Sequence, residues 1–359
     1  MENEAAFLPC SMRNSSEEKE FSYTGEEFIF QVPRSFIDRG ASKFDQVLQR
    51  KWEAAMKKKY FRYHLDKLET KVLPGKYGFV AQLNVKRAQE RRKPQDVVDL
   101  EMPFNPNLFN FTKVKQHEVL FSLNPNQEAE LSSHQVIINV SPLEYCNCLL
   151  VPFVNSCLPQ VVNESGLQLA VEMLLLSADP SFRVGFNSLG AYASVNHYHF
   201  HLYYLSHHLF IEITPVQHLS GLCYEVVNYP GKGFVFQLLQ NSQFTVVLKS
   251  VMKVIKYLLD ESIAHNILIT RGQRLDGKQD EYEIYEAVRI FVWARKSSFG
   301  VKNDEAFNPA LCELGGHLPI KNERSFQNIS EAAVASILDD VCSEAFFKVR
   351  EHVKQICDV

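Results

Sequence analysis

Apolar positions along the chain fall into two rhythms, helical and alternating, and the places where one gives way to the other outline the fold. From Ser42 to about Leu68 the apolar residues Phe44, Val47, Leu48, Trp52, Ala55, Met56, Phe61 and Leu65 recur at near-helical spacing among many basic ones, which predicts an amphipathic helix. A second helix is predicted between Asn163 and Ala178, with a Ser or Asn to cap it and Asp179-Pro180 to end it. A third, strongly apolar, runs from Gln243 to Ser262. Between these, residues 103 to 160 alternate turn formers with short apolar runs, the pattern of an antiparallel meander, and Tyr77–Val85, Leu219–Gln240 and Ala287–Ala294 read as strands and turns. The order of strands, helix and strand pair after Leu219 echoes the order before it, so we expect an α+β chain built from two related halves.

Gly185 to Leu205 carries the sharpest pattern. In an extended chain successive side chains face opposite ways, so His197, His199 and His201 share one face while Tyr198, Phe200 and Leu202 share the other. An apolar back and an imidazole front describe a strand that buries one side and offers the other to something polar. Three uses compete: core histidines hydrogen-bonded in place, a zinc site on alternate imidazoles, or nucleophilic attack on phosphorus. Ligand-orienting carboxylates are scarce, since no Asp or Glu lies between Ser181 and Phe210. The flank from Asn187 to Asn196 instead offers Asn187, Ser188, Ser194 and the backbone near Gly190 as donors around an anion.

Composition narrows the setting. The 359 residues, 46% of them hydrophobic, can bury a large core, and a formal net charge of -4 gives no general pull toward nucleic acid or an anionic membrane. An anionic ligand must therefore be held by local donors. The first 20 residues are rich in Ser, Glu and Asn and read as a disordered tail without the basic start and apolar core of a signal peptide. No apolar run approaches a membrane span, so a soluble, cytoplasmic protein is expected. Eight cysteines include no CxxC pair and read as reduced thiols.

The His-x-His-x-His row with its upstream Asn187 and Ser188 resembles the histidine-triad superfamily of nucleotidyl hydrolases and transferases. The longer string is similar to the GDP-hexose phosphorylase branch, as are Phe109 to Val114, Ile138 to Pro142 followed by Leu149 to Pro152, and Gly315 to Pro319. This resemblance implies a catalytic triad-like domain over residues 21–215 and a degenerate second half over 216–359. It further implies His199 as the nucleophile toward a GDP-hexose, GDP-glucose in the animal members, with inorganic phosphate as acceptor and no metal or other cofactor. His197 would hold His199 by a hydrogen bond, and Asn187, Ser188, Gly190 and Ser194 would surround the phosphate oxygens. Phe111 and Val114 would face the base, Asn139 the ribose, and Arg87, in the basic run Lys86–Lys93, would clamp a phosphate. Arg295–Ser298 and Glu313–Lys321 are candidates to reach the sugar or the incoming phosphate. Two departures stand out. The branch usually has Gly-His where this chain has Cys146-Asn147, and transferase relatives have Gln where it has His201. The second keeps a nucleotide-conjugate hydrolase as a rival, beside a non-catalytic nucleotide-binding module. Triad relatives are often dimers, so a homodimer is expected.

Overall fold

The computed structural model describes residues 19–37, 40–126, 133–277, 283–299 and 306–358, so the expected N-terminal tail falls almost wholly outside the described residues. Strand β1 (Glu20–Tyr23) and the short β2 (Val32–Pro33) lead to helix α1 (Lys43–Lys57), and β3 (Glu69–Val72) and β4 (Val80–Leu83) lead to α2 (Val85–Glu90). The first half continues with β5 (Val119–Pro125), β6 (His134–Ile138), β7 (Cys148–Val151), α3 (Glu164–Leu176), β8 (Phe182–Asn187) and β9 (Phe200–Tyr204). The second runs β10 (Val216–Ser220), β11 (Cys223–Val226), β12 (Phe234–Leu238), α4 (Phe244–Asp260), β13 (Ala264–Gly272), β14 (Ile284–Tyr285) and β15 (Ala287–Arg295). Helix α5 (Leu311–Leu314), β16 (His317–Ile320), α6 (Glu323–Asn328) and the long α7 (Glu331–Ile356) complete the chain.

Eleven strands form one sheet in the order β1-β5-β6-β7-β9-β8-β13-β15-β12-β11-β10. Read inward from each edge, β5-β6-β7-β9-β8 and β10-β11-β12-β15-β13 are the same arrangement. In each a three-strand meander is followed by a helix, then by an innermost strand, then by one that returns between it and the meander. The halves meet where β8 pairs antiparallel with β13, Asn187 opposite Asn266. The doubled unit read from the sequence is therefore present as a topological repeat, and the counterpart of histidine-bearing β9 is β15, whose Val288 to Ala294 has no histidine. Apart from the buried Arg289 that stretch is apolar, and it is buried on both faces as a central strand requires.

Five helices begin at Ser or Asn caps, Ser42, Asn84, Asn163, Asn322 and Ser330. Ser42 accepts from the Asp45 amide and the Asp45 carboxylate accepts from the Ser42 amide, a reciprocal capping box at the start of α1. The same carboxylate accepts from Ser177 Oγ at 2.6 Å, Tyr204 Oη at 2.6 Å and the Ala178 amide at 2.9 Å, which docks α1 on the end of α3 and on β9. Helix α1 ends at Lys57 rather than near Leu68, because Lys59 adopts φ 59° and the chain turns to bury Phe61. In the basic run Val85–Glu90 is helical, capped by Asn84.

The two sheet faces bury different sets. Tyr198, Phe200, Leu202 and Tyr204 lie in the core with α1, α3 and α4, whereas Tyr203 and Leu268 pack toward a small second sheet, β16-β4-β3. His201, two residues before Tyr203 on β9, shares that face. Among the described residues the seven cysteines form no disulfide. No helix among them is long and apolar enough to cross a membrane.

The halves are also pinned by a buried ion pair. Glu212, in the connection between them, accepts from Arg183 of β8, from Tyr285 Oη at 2.8 Å and from the Leu209 amide at 3.2 Å, with Arg183 and Glu212 both essentially inaccessible. Removing one partner of such a pair leaves an uncompensated buried charge. Glu212→Ala should lower unfolding free energy by about 3–5 kcal/mol in urea titrations, against little change if the pair were solvated.

Candidate active site

His201 is fixed as a regular strand residue, opposite Leu149 of β7 and Gly185 of β8. His197 and His199 precede the regular part of β9, where the ladder has already ended. Gln160 substitutes for it. Its Oε1 accepts from the His199 amide at 2.9 Å, while Nε2 donates to the carbonyls of His199 at 3.1 Å and Asn187 at 3.0 Å. One side-chain amide thus completes the backbone pairing of the middle histidine. The Gln160 amide in turn donates to Asn196 Oδ1, whose Nδ2 bonds the carbonyls of Met102 and Pro103.

The hydrogen bonds also fix the tautomers. His199 Nδ1 lies 2.7 Å from the His197 carbonyl, which can only accept, so Nδ1 carries the proton and Nε2 keeps a lone pair. His197 is the reverse case, since its Nδ1 accepts from the Phe111 amide at 2.9 Å. The bond between His197 and His199 runs through the carbonyl of His197 and not through its ring. That ring stacks on Phe111 with centroids 5.4 Å apart, while Phe111 meets His199 edge-on at 5.1 Å and His201 lies 5.3 Å from His199.

In front of His199 and His201 opens a cavity of about 540 Å³, within the usual range for small-molecule sites. Of the residues singled out in the sequence, Arg87, Phe111, Val114, Asn139, Asn187, Ser194, His199 and His201 line it, and from the later segment so do Glu313, Pro319 and Lys321. His197, Ser188 and Gly190 do not. Ser188 accepts from the His265 amide at 2.9 Å and donates to the Leu189 carbonyl, tying the two halves together. Gly190 takes φ 69°, and a β-carbon there would come within 2.8 Å of Leu100 and Phe299, so the glycine serves a tight turn. Arg295 stands behind the cavity, donating to Asn266 Oδ1 and the Pro309 carbonyl with its guanidinium 5.0 Å from the Tyr192 ring. Lys296 is spent on Asp340 at the surface.

Asn187 and Asn139 differ in what they leave free. The Asn187 oxygen accepts from Asn266 and the Leu311 amide, leaving its Nδ2 as the donor at the cavity wall. Asn139 is held by Asn147 at 2.9 Å and by the Ser141 amide at 3.2 Å, which makes it part of the wall's framework. Asn147, fully buried, also accepts from the Leu143 amide and donates to the Leu202 carbonyl. The preceding Cys146 adopts φ 54°, a left-handed conformation more natural to glycine. Gln160 and Glu118 were not singled out by the sequence. Neither belongs to a periodic pattern or motif, and each acquires meaning only from what folds against it.

Two family models span the chain: the GDPGP1-like N-terminal domain over residues 43–203 and the GDPGP1-like C-terminal domain over residues 212–359. The chain belongs to the GDPGP1-like family. A Danio rerio member named GDP-D-glucose phosphorylase 1 is 44% identical over 338 residues, covering 93% of this chain and 97% of that one. The Homo sapiens protein of the same name is 44% identical over 306 residues, covering 83% and 79%. Arabidopsis thaliana GDP-L-galactose phosphorylase 1 is 33% identical over 348 residues, covering 90% and 76%. Among solved structures, yeast Ap4A phosphorylase Apa2 superposes with a TM-score of 0.58 at 15% identity over 84% of this chain and 94% of that one, which establishes a shared fold. The α+β architecture expected from the sequence is observed, and the two family models divide the chain between its two topological halves.

In this family member the electrostatics of the site follow from burial. Desolvation lowers the pKa of His197 and His199 to about 4 and that of His201 well below its ordinary value, the last with help from Arg87. All three rings are therefore neutral at pH 7. Burial raises Glu313 to about 7, with Arg87 and Lys321 opposing the rise. Positive charge at the cavity falls to arginines 87, 91 and 92 and to Lys321. An unfolded chain takes up protons at histidine near pH ~6.5, whereas the folded one resists until about 4 at His199, so these rings withdraw stability as pH falls across that interval. In NMR spectra of histidine-labelled protein, the His197 and His199 ring protons should titrate with midpoints near 4; midpoints near 6.5 would contradict the burial.

Proposed function

We propose that the protein is a GDP-hexose phosphorylase, converting GDP-D-glucose and inorganic phosphate to GDP and glucose 1-phosphate through a guanylylated histidine. The observation that carries this reading is the single tautomer of His199, with protonated Nδ1 against a carbonyl and Nε2 free at a cavity wall. It is supported by relatives named GDP-D-glucose phosphorylase 1 at 38 to 44% identity over most of the chain.

In the first step His199 Nε2 attacks the α-phosphorus. A P–N bond forms, the P–O bond to the second phosphate breaks, and hexose 1-phosphate departs with the electron pair. The imidazole gains positive charge as it does so, and the His197 carbonyl on Nδ1–H stabilises it. In the second step an oxygen of inorganic phosphate attacks the same phosphorus, the P–N bond breaks, and GDP leaves with His199 neutral again. Using one pocket twice lets the nucleotide stay in place while hexose 1-phosphate and phosphate alternate. Phe111 and Val114 form the apolar shelf for the base. Asn187 Nδ2, the Ser194 hydroxyl and Arg87 offset charge on the phosphate oxygens, with Arg91 and Lys321 beside them. A neutral His201 adds little positive charge, so the cationic work is done by the arginines and the lysine. The proposed setting is cytoplasmic.

His199→Ala should lower kcat for glucose 1-phosphate release at least ~10³-fold, as loss of a nucleophile does. Incubation of the native enzyme with GDP-glucose labelled at the α-phosphorus should leave label on protein, and added phosphate should discharge it as GDP. Discharge as GMP at an equal rate with and without phosphate would make the enzyme a hydrolase, and undiminished turnover by His199→Ala would end the covalent mechanism.

A further inference from the structure

Among the described residues two carboxylates line the cavity, and their situations differ. Glu313 is 7% exposed, and its Oε2 accepts from the Ala310 amide at 3.0 Å, so it caps the turn that carries α5. Glu118 is half-buried, and no hydrogen bond or ion pair engages its side chain among the described residues. With no hydrogen bond or ion pair inside the protein, the oxygens of this carboxylate at the cavity wall are free to accept from a ligand.

Its position is set by the meander. Glu118 ends a short turn of helix, Gln116–Glu118, and Val119 directly after it opens β5, paired with Ile137 of β6. Val119 and Val114 pack against the cluster of Phe111, Ile137, Leu149 and Val195, which floors this end of the cavity. Across from it Arg92 holds its guanidinium 3.1 Å from the centre of the Phe109 ring, a flat, cationic stack at the cavity wall. Glu118 lies close enough to Arg92 for its charge to support the guanidinium's proton against burial. An aromatic and aliphatic shelf edged by one unpaired carboxylate is suited to a planar heterocycle that presents two adjacent N–H groups.

We propose that Glu118 is the residue that selects guanine, its two oxygens accepting from the base's N1–H and exocyclic N2–H₂ while the ring rests on the Phe111–Val114 shelf. Of the common nucleobases guanine alone offers two neighbouring donors on that edge. Adenine turns the N1 lone pair toward the carboxylate and is repelled, and uracil offers one donor between two carbonyls. The selection is thus built partly from repulsion, as specificity commonly is. The inference rests on the reading that a GDP-hexose occupies this cavity with its base at the Phe111 end.

The test compares dissociation constants of GDP, IDP and ADP for the full-length protein, Glu118→Gln and Glu118→Ala by calorimetry, with melting curves to confirm that both variants fold. IDP lacks only the N2 amine. The native protein should bind GDP about tenfold more tightly than IDP and ~10²-fold more tightly than ADP, since a site built to accept hydrogen bonds rejects a ligand that cannot donate them. Glu118→Ala should reduce the GDP-to-ADP ratio at least ~10-fold and bring GDP and IDP together, with Glu118→Gln intermediate. An unchanged GDP-to-ADP ratio in both variants would overturn the proposal. So would a change in preference between GDP-glucose and GDP-mannose with base preference intact, which would place Glu118 at the sugar. If the native protein selects GDP through Glu118 but releases no hexose 1-phosphate, base selection stands and the phosphorylase reading falls.

Discussion

Everything at this site depends on one hydrogen bond, from His199 Nδ1 to the carbonyl of His197 two residues earlier. It settles which nitrogen carries the proton and therefore which one is free to react, and it does so with a backbone acceptor that no substitution removes. The bond can form only if the segment stays extended after its neighbours stop pairing with it. Gln160 keeps it extended, supplying from one side chain the donor and acceptor that a strand would have supplied. Burial then holds the ring neutral, with its pKa lowered to about 4, so the same packing that orders the imidazole keeps its lone pair available.

The doubled architecture explains how such a site is supported. Placing β8 and β13 at the middle of an eleven-stranded sheet puts Asn187 against Asn266 from the other half and Ser188 against the amide of His265. The second half, without histidines on β15, therefore contributes the framework that orients Asn187, and its C-terminal extension through α5 and β16 closes the cavity's far wall with Glu313, Pro319 and Lys321. Arg183 and Glu212 hold the junction between halves from inside. Loss of the second half would thus remove one wall of the pocket as well as half of the core.

Much of this was legible in the sequence because it rests on periodicity. Alternate histidines with Tyr198, Phe200 and Leu202 between them specify one polar and one apolar face; the apolar face lies in the core, and of the imidazoles His199 and His201 reach the cavity while His197 does not. Helices α3 and α4 follow their apolar stripes, α1 stops at the turn at Lys59 although its apolar spacing continues, and the long α7 had not been read from the sequence. Ser188 and Gly190 were read as ligand donors since small polar flanks look alike whether they cradle an anion or build a turn, and only the fold distinguishes these. Gln160 and Glu118 left no local signal, because their partners are remote in sequence. The basic run shows the middle case: its charge was plain, but only as a capped helix does it bring Arg87 and its neighbours to the cavity.

In the proposed mechanism a single nitrogen, Nε2 of His199, forms the bond to phosphorus. The most direct measurement is ³¹P–¹⁵N NMR on enzyme labelled at histidine ring nitrogens and trapped with GDP-glucose in the absence of phosphate. A phosphoramidate coupled to Nε2 of His199, with Nδ1 still protonated, is the predicted result. Coupling to Nδ1, to a nitrogen of His197 or His201, or to none of the three would contradict it.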